Sequence, residues 1–169
     1  MPVRDIVTHP APILRKKARK VTDFGPELQT VVDDMVETMR SAPGVGLAAP
    51  QIGVPFQLIV VEFTEKEEDE QPKLFILANP EIIRTAVDQE IGTEGCLSIP
   101  GFVGDVERPA AVTLRGLNRR GKPMRVKADG WLARIFQHEV DHLNGVLFID
   151  RAEKVWKVEE GPSQVIPAD

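Results

Sequence analysis

Gln137-His138-Glu139-Val140-Asp141-His142-Leu143 is the stretch on which the reading of this chain turns. Leu132, Ile135 and Phe136 precede it at helical spacing, Asp129 stands where an N-cap belongs, and Gly145 follows where a helix would stop. Side chains four apart on a helix leave the same face one turn apart. His138 and His142 therefore aim two imidazoles at one point, with Glu139 beside them. The chain has three histidines, and two of them fall at this spacing in its most apolar helix. Imidazoles buried there without a partner would cost desolvation energy. A shared cation satisfies both, and Glu139 can then take a proton from an attacking water, the part a His-Glu-x-x-His pattern assigns to it.

A catalytic metal site usually has three protein ligands and one open position. Where one group of such sites places a third histidine, this chain has Phe148; where another places a glutamate, it has Pro162. The remaining histidine, His9, precedes Pro10 near the N-terminus and reads as a turn or surface residue. That leaves Cys96, the one cysteine, in the turn-like segment Glu94-Gly95-Cys96-Leu97-Ser98-Ile99-Pro100. A lone cysteine is usually a small buried apolar residue, but its glycine-flanked setting lets backbone amides face a ligand as well. A thiolate and two neutral imidazoles around a divalent ion leave a net charge of about +1, still able to acidify water.

Outward from this helix, the chain reads as strands. Phe56 to Val61 is a buried strand, and Leu74 to Ala78 and Val87 to Ile91 are two more. Val112 to Leu117 and Met124 to Ala128 form a hairpin across Asn118-Arg119-Arg120-Gly121. A first amphipathic helix follows Gly25-Pro26, with Leu28, Val31, Val32, Met35, Val36 and Met39 on its packing face. Gly44 to Gln51 is a small-residue loop, and Glu65 to Pro72 a solvated charged loop. Residues 1–169 form one α+β domain, with antiparallel sheets around a central metal-binding helix and a loosely ordered tail from Ala152.

Composition narrows the partners. A net charge of -5 argues against direct nucleic-acid binding, which needs a basic surface. No window approaches a membrane span or a signal peptide. One cysteine excludes an internal disulfide, so a reducing cytoplasm is the expected home, an organelle reached by a cleaved leader also being compatible. A monomer is expected.

Three segments together resemble the peptide deformylase family: Gly44-Val45-Gly46-Leu47-Ala48-Ala49-Pro50-Gln51, Glu94-Gly95-Cys96-Leu97-Ser98, and Gln137 through Leu143. Each is degenerate alone; the three in this order are specific. The resemblance spans Ile6 to Asp150 and implies removal of the formyl group from N-formylmethionine at the start of new polypeptides. It implies Cys96, His138 and His142 as metal ligands and Glu139 as general acid/base. The Gln51 side chain and the Leu97 backbone N–H would stabilise the oxyanion. Gly46 would bond substrate backbone, while Val45 and Ile135 would line a methionine pocket.

Cysteine and histidine suit Zn²⁺, Fe²⁺, Co²⁺ or Ni²⁺, and the resemblance favours Fe²⁺. Glu94 and Arg108 are either a supporting ion pair or two unrelated charges, and Asp141 is either support or solvated. Some relatives dock on the ribosome through a basic C-terminal helix. Here Lys154 and Lys157 are offset by Glu153, Glu159, Glu160 and Asp169, which gives that little support. Gly101-Phe102 falls in a stretch that varies among relatives, leaving rim contacts to longer peptides open. The alternatives are a metallopeptidase cutting internal peptide bonds and a protein whose metal only staples the fold. The missing usual third ligand argues against the first, and the lack of a fourth good ligand against the second.

Overall fold

The computed structural model describes residues 3–64 and 71–158. The acidic run at 65–70, read as a solvated loop, and the tail at 159–169 lie outside the described residues. Helix α1 (Pro26–Ser41) is followed by strands β1 (Gly46–Ala48), β2 (Leu58–Phe63) and β3 (Lys73–Thr85). Strands β4 (Gln89–Cys96), β5 (Ile99–Pro109), β6 (Ala111–Leu117) and β7 (Pro123–Asp129) lead into helix α2 (Gly130–Leu143). A short helix α3 (Phe148–Arg151) and strand β8 (Lys154–Lys157) complete the order.

Two antiparallel sheets result, one in the order β1-β2-β3-β6-β7 and the other β4-β5-β8. Strand β2 shows why helices cover both faces of the first. Its run Leu58-Ile59-Val60-Val61 is fully buried, and alternate side chains point to opposite faces. Leu58 and Val60 join the cluster built on α1, with Val32, Met35 and Met39. Ile59 and Val61 join the cluster built on α2, with Leu132, Ile135 and Phe136. Phe136 meets Phe75 edge-on at 5.2 Å between ring centroids. A third cluster, with Leu14, Ile99, Val106, Leu147 and Phe148, buries Cys96 and secures the smaller sheet.

Several boundaries differ from the sequence expectation. Strand β3 runs on past Ala78 because Asn79-Pro80 forms an irregularity in the ladder, with Asn79 at φ 52°, rather than ending it. The Gly44–Gln51 segment contains β1 and a 3₁₀ turn at Ala49–Ile52. Part of the tail is ordered, since Lys154–Lys157 pairs with Phe102–Asp105. Asp129 does occupy the N-cap of α2, but its side chain makes no capping bond. Gly145, at φ 74°, follows the end of α2 as expected, and a Cβ there would sit 2.5 Å from the Arg15 carbonyl oxygen. No helix among the described residues is long and apolar enough to cross a membrane.

Candidate metal centre

Helix α2 lies between the two sheets, and every side chain from Leu132 to Leu143 is buried. The helical spacing therefore does what it predicts: the rings of His138 and His142 lie 5.1 Å apart on one face. His138 also stacks on Phe148. Cys96 arrives from the opposite side at the end of β4, where the ladder shifts register between Gly95 and Cys96 and turns through Leu97-Ser98 into β5. One ligand atom from each of Cys96, His138 and His142 lies within 4.8 Å of the others, all buried. Cys96 Sγ is 3.3 Å from His142 Nε2. His9 stays exposed, with only its backbone N–H engaged near the site, on the Ser98 carbonyl.

The polar atoms left over say what such a cluster could hold. His138 Nε2 and both carboxylate oxygens of Glu139 are buried without a hydrogen-bond partner, as is His142 Nδ1, while the other nitrogen of that ring, Nε2, meets Cys96 Sγ. Buried polar groups are nearly always paired, so a knot of unpaired ones calls for a ligand. Tetrahedral bonds of ~2.0–2.3 Å place ligand atoms ~3.3–3.8 Å apart, which the Cys96–His142 contact meets. Electrostatics agree. Burial opposes charge on His138, yet the nearby Cys96 sulfur, the Glu94 hydrogen bond and the Glu139 charge raise its pKa well above normal. Burial and the neighbouring His138 charge hold His142 well below normal. The upward shift at His138 reflects the acidic groups gathered around it, Cys96, Glu94 and Glu139, a surplus that a cation would offset. The donor set fits a divalent ion of the Zn²⁺ or Fe²⁺ kind.

Glu139 sits fully buried against this cluster. Burial, only partly offset by the His138 charge, raises its pKa to about 7, where a carboxyl can both accept and return a proton near neutrality. Gly46 on β1 makes the room: a Cβ there would lie 2.5 Å from Glu139 Oε2 and 3.0 Å from its Cδ. Gln51, in the 3₁₀ turn, is fully buried and its amide is oriented at both ends. Its Oε1 accepts the Ala48 N–H at 2.9 Å, which turns Nε2 toward Ser98 Oγ at 3.1 Å and Cys96 Sγ at 3.6 Å. Leu97 lies in the turn beside Cys96 and packs toward the α1 cluster. Val45 and Ile135 belong to the α2 cluster, Ile135 fully buried.

Between helix and hairpin lies a polar joint that the sequence only half disclosed. Glu94 and Arg108 are a buried ion pair rather than two unrelated surface charges: Arg108 Nε and Nη2 donate to the two carboxylate oxygens. Arg108 Nη1 donates to Asp141 at 2.9 Å, and Arg151 adds two more bonds to Asp141, so Asp141 supports the joint. Burial alone would raise the Glu94 pKa, but the Arg108 and His138 hydrogen bonds hold it far below the usual carboxylate range. Glu94 Oε1, which already accepts from Arg108 Nη2, also accepts from His138 Nδ1 at 2.9 Å. Arg134 and Ser98 belong to the same surroundings and were missed. The available signal for Arg134 was a charge on an apolar helix, one turn before His138.

A buried helix offering two imidazoles and a carboxyl, met by a thiol and an oriented amide, defines a metallohydrolase type of centre. The family model for polypeptide deformylase matches residues 3–158. A peptide deformylase of Desulforudis audaxviator is 48% identical over 160 residues, covering 95% of this chain and all of that protein. The crystal structure of a peptide deformylase from Synechococcus elongatus in complex with actinonin superposes with a TM-score of 0.82 at 47% identity, covering 91% of this chain and 81% of that one. That of the Thermotoga maritima peptide deformylase gives 0.84 at 37% identity, covering 91% and 100%. The chain belongs to the peptide deformylase family, and it is an enzyme.

Proposed function

We propose that this centre hydrolyses the formyl group from the N-terminal formylmethionine of newly made polypeptides, releasing formate, with the roles divided as follows. Cys96, His138 and His142 would hold a divalent ion, which would supply Lewis acidity and acidify water. Glu139 takes a proton from the attacking water and returns it to the departing amine, one carboxyl acting as base and then acid. Its raised pKa of about 7 matches that double duty. Gln51 Nε2 and the Leu97 backbone N–H donate to the oxyanion, where fixed donors lower the barrier most. Gly46 offers backbone to the substrate chain, and Val45 and Ile135 line the methionine side chain.

The observation that carries this reading is the meeting of a buried Glu139, a Cys–His–His cluster and an amide donor aimed at the cysteine. We infer Fe²⁺, the ion the family resemblance favours, as the working ion, in a reducing compartment where Cys96 stays unoxidised. Formate release from a formyl-Met peptide by anaerobically purified protein tests the reaction, and elemental analysis alongside tests the metal. Intact peptide after incubation with metal-loaded protein overturns the reaction. Activity that is the same with every divalent ion overturns the preference for iron.

A further inference from the structure

One side chain on α2 has no part in the roles above, although it is charged and only 5% exposed: Arg134. It stands four residues before His138, hence on the same helix face. Its Nη1 donates to Glu94 Oε2 at 2.7 Å and to the Val106 carbonyl at 2.9 Å. Its Nη2 donates to the Glu90 carbonyl at 2.8 Å, and its guanidinium lies over the Trp131 ring. One helix residue thus holds β4 at Glu90 and Glu94 and β5 at Val106.

The consequence falls on Glu94. Its Oε2 accepts from Arg108 Nε and Arg134 Nη1, and its Oε1 accepts from Arg108 Nη2 and His138 Nδ1. Arg108 alone would leave the carboxylate free to swing with that one guanidinium. Held from two directions, it must present Oε1 to the imidazole. A carboxylate only accepts, so Nδ1 keeps a proton, and Nε2, the atom buried without a hydrogen-bond partner in the cluster, is the one that offers a lone pair to a metal when the ring is neutral. Gly92 fits the same scheme. A Cβ there would lie 2.7 Å from Arg134 Nε and 3.0 Å from the Trp131 ring, and a guanidinium fixed by three oxygens cannot move aside without losing them.

We infer that Arg134 is a positioning residue that acts through Glu94 to set the tautomer and direction of His138, and that Gly92 is the glycine that admits it. This rests on reading Cys96, His138 and His142 as the ligands. The full chain is loaded with Co²⁺, its loss to excess chelator is followed by the thiolate–cobalt absorption, and the His138 Nδ1–H is followed by nitrogen-correlated NMR in Zn²⁺-loaded protein. Arg134→Met loses cobalt about tenfold faster, the lower end for groups around metal ligands. Its His138 Nδ1–H shifts and exchanges faster, while the His142 signals stay. Arg134→Lys, which keeps the charge but reaches fewer oxygens, falls between. Gly92→Ala reproduces part of the loss and adds nothing in the Gly92→Ala/Arg134→Met double variant.

Cobalt loss and His138 signals that match the parent protein in all of these variants, even with a lowered melting temperature, overturn the inference and leave Arg134 a strand staple. So do His138 and His142 signals that shift equally. Failure of the parent protein itself to take up cobalt strikes the ligand assignment instead.

Discussion

Helix α2 is buried along its whole length, whereas the arm that brings Cys96 to meet it is buried only at one end. In the loop entering β4, Val87 is 94% exposed, and Ile91 on β4 is 69% exposed; Glu94, Gly95 and Cys96 are buried. The helix is held by apolar side chains of the larger sheet, from Ile59 to Val126. The arm has a small apolar cluster at its base, around Ile99 and Val106, and is tied to the helix there by charge, through Glu94, Arg108, Arg134 and Asp141. On the proposed division of roles, two ligands and the acid/base therefore ride on the helix, and the third ligand on the arm. Apolar packing tolerates small slips, while a buried carboxylate with every acceptor site used does not. The joint is what makes the cluster's geometry exacting.

The largest effect is expected on the helix side. Glu139→Ala removes the proton carrier and lowers kcat by about 10²–10⁴-fold. Cobalt affinity stays near that of the parent, because Glu139 is not among the clustered ligand atoms. Steady-state kinetics with metal titration check both, and unchanged kcat would remove Glu139 from the mechanism. Next comes the joint. Glu94→Leu leaves Arg108 and Arg134 buried without their carboxylate, a change that costs about 3–5 kcal/mol in comparable buried pairs. Urea unfolding measures it; a loss below about 1 kcal/mol would mean that the arm does not depend on this charge. Gln51→Leu then removes one oxyanion donor, about 2.7–4 kcal/mol of barrier, with KM little changed.

How far the sequence discloses each partner follows the same division. Helix α2 is legible because helical spacing, an N-cap position, a terminal glycine and the paired histidines all agree. The strand of the arm that carries Glu94 and Cys96 is harder, and its second strand, β5, is not legible at all. Ile99-Pro100-Gly101-Phe102-Val103-Gly104 reads as breakers, because proline and glycine punctuate local structure. In the fold Pro100 and Pro109 lie near the strand ends. Gly104 serves the approach of β8, since a Cβ there would lie 2.9 Å from Ala152 Cβ and from the Lys154 carbonyl oxygen. The reason for that glycine is a contact some fifty residues away in the chain, which no local pattern carries. The centre is similar: the histidine spacing is local, Cys96 is reached by elimination, and Gln51 is singled out only by the family resemblance. Arg134 and Ser98 act only through partners brought by the other sheet.

The smallest effect sharpens the contrast between a charged joint and ordinary surface charge. Arg40 and Glu62 make the same two-bond pairing as Arg108 and Glu94, at 2.9 and 2.7 Å, but the Arg40 side chain is 48% exposed. The hydrogen bond from Arg40 outweighs the opposing effect of burial and lowers the Glu62 pKa. A carboxyl with a lowered folded-state pKa adds stability that is present above its unfolded value, near 4.3, and is lost as pH falls through the folded one. Glu62→Gln should thus be less stable than the parent at pH 7 by no more than about 1 kcal/mol, since solvent screens such pairs. The difference should shrink as the pH drops below the ordinary glutamate range. Urea unfolding at pH 7 and pH 3 measures both. A loss at Glu62 as large as that of Glu94→Leu would show that two-bond geometry, not burial, gives the joint its strength.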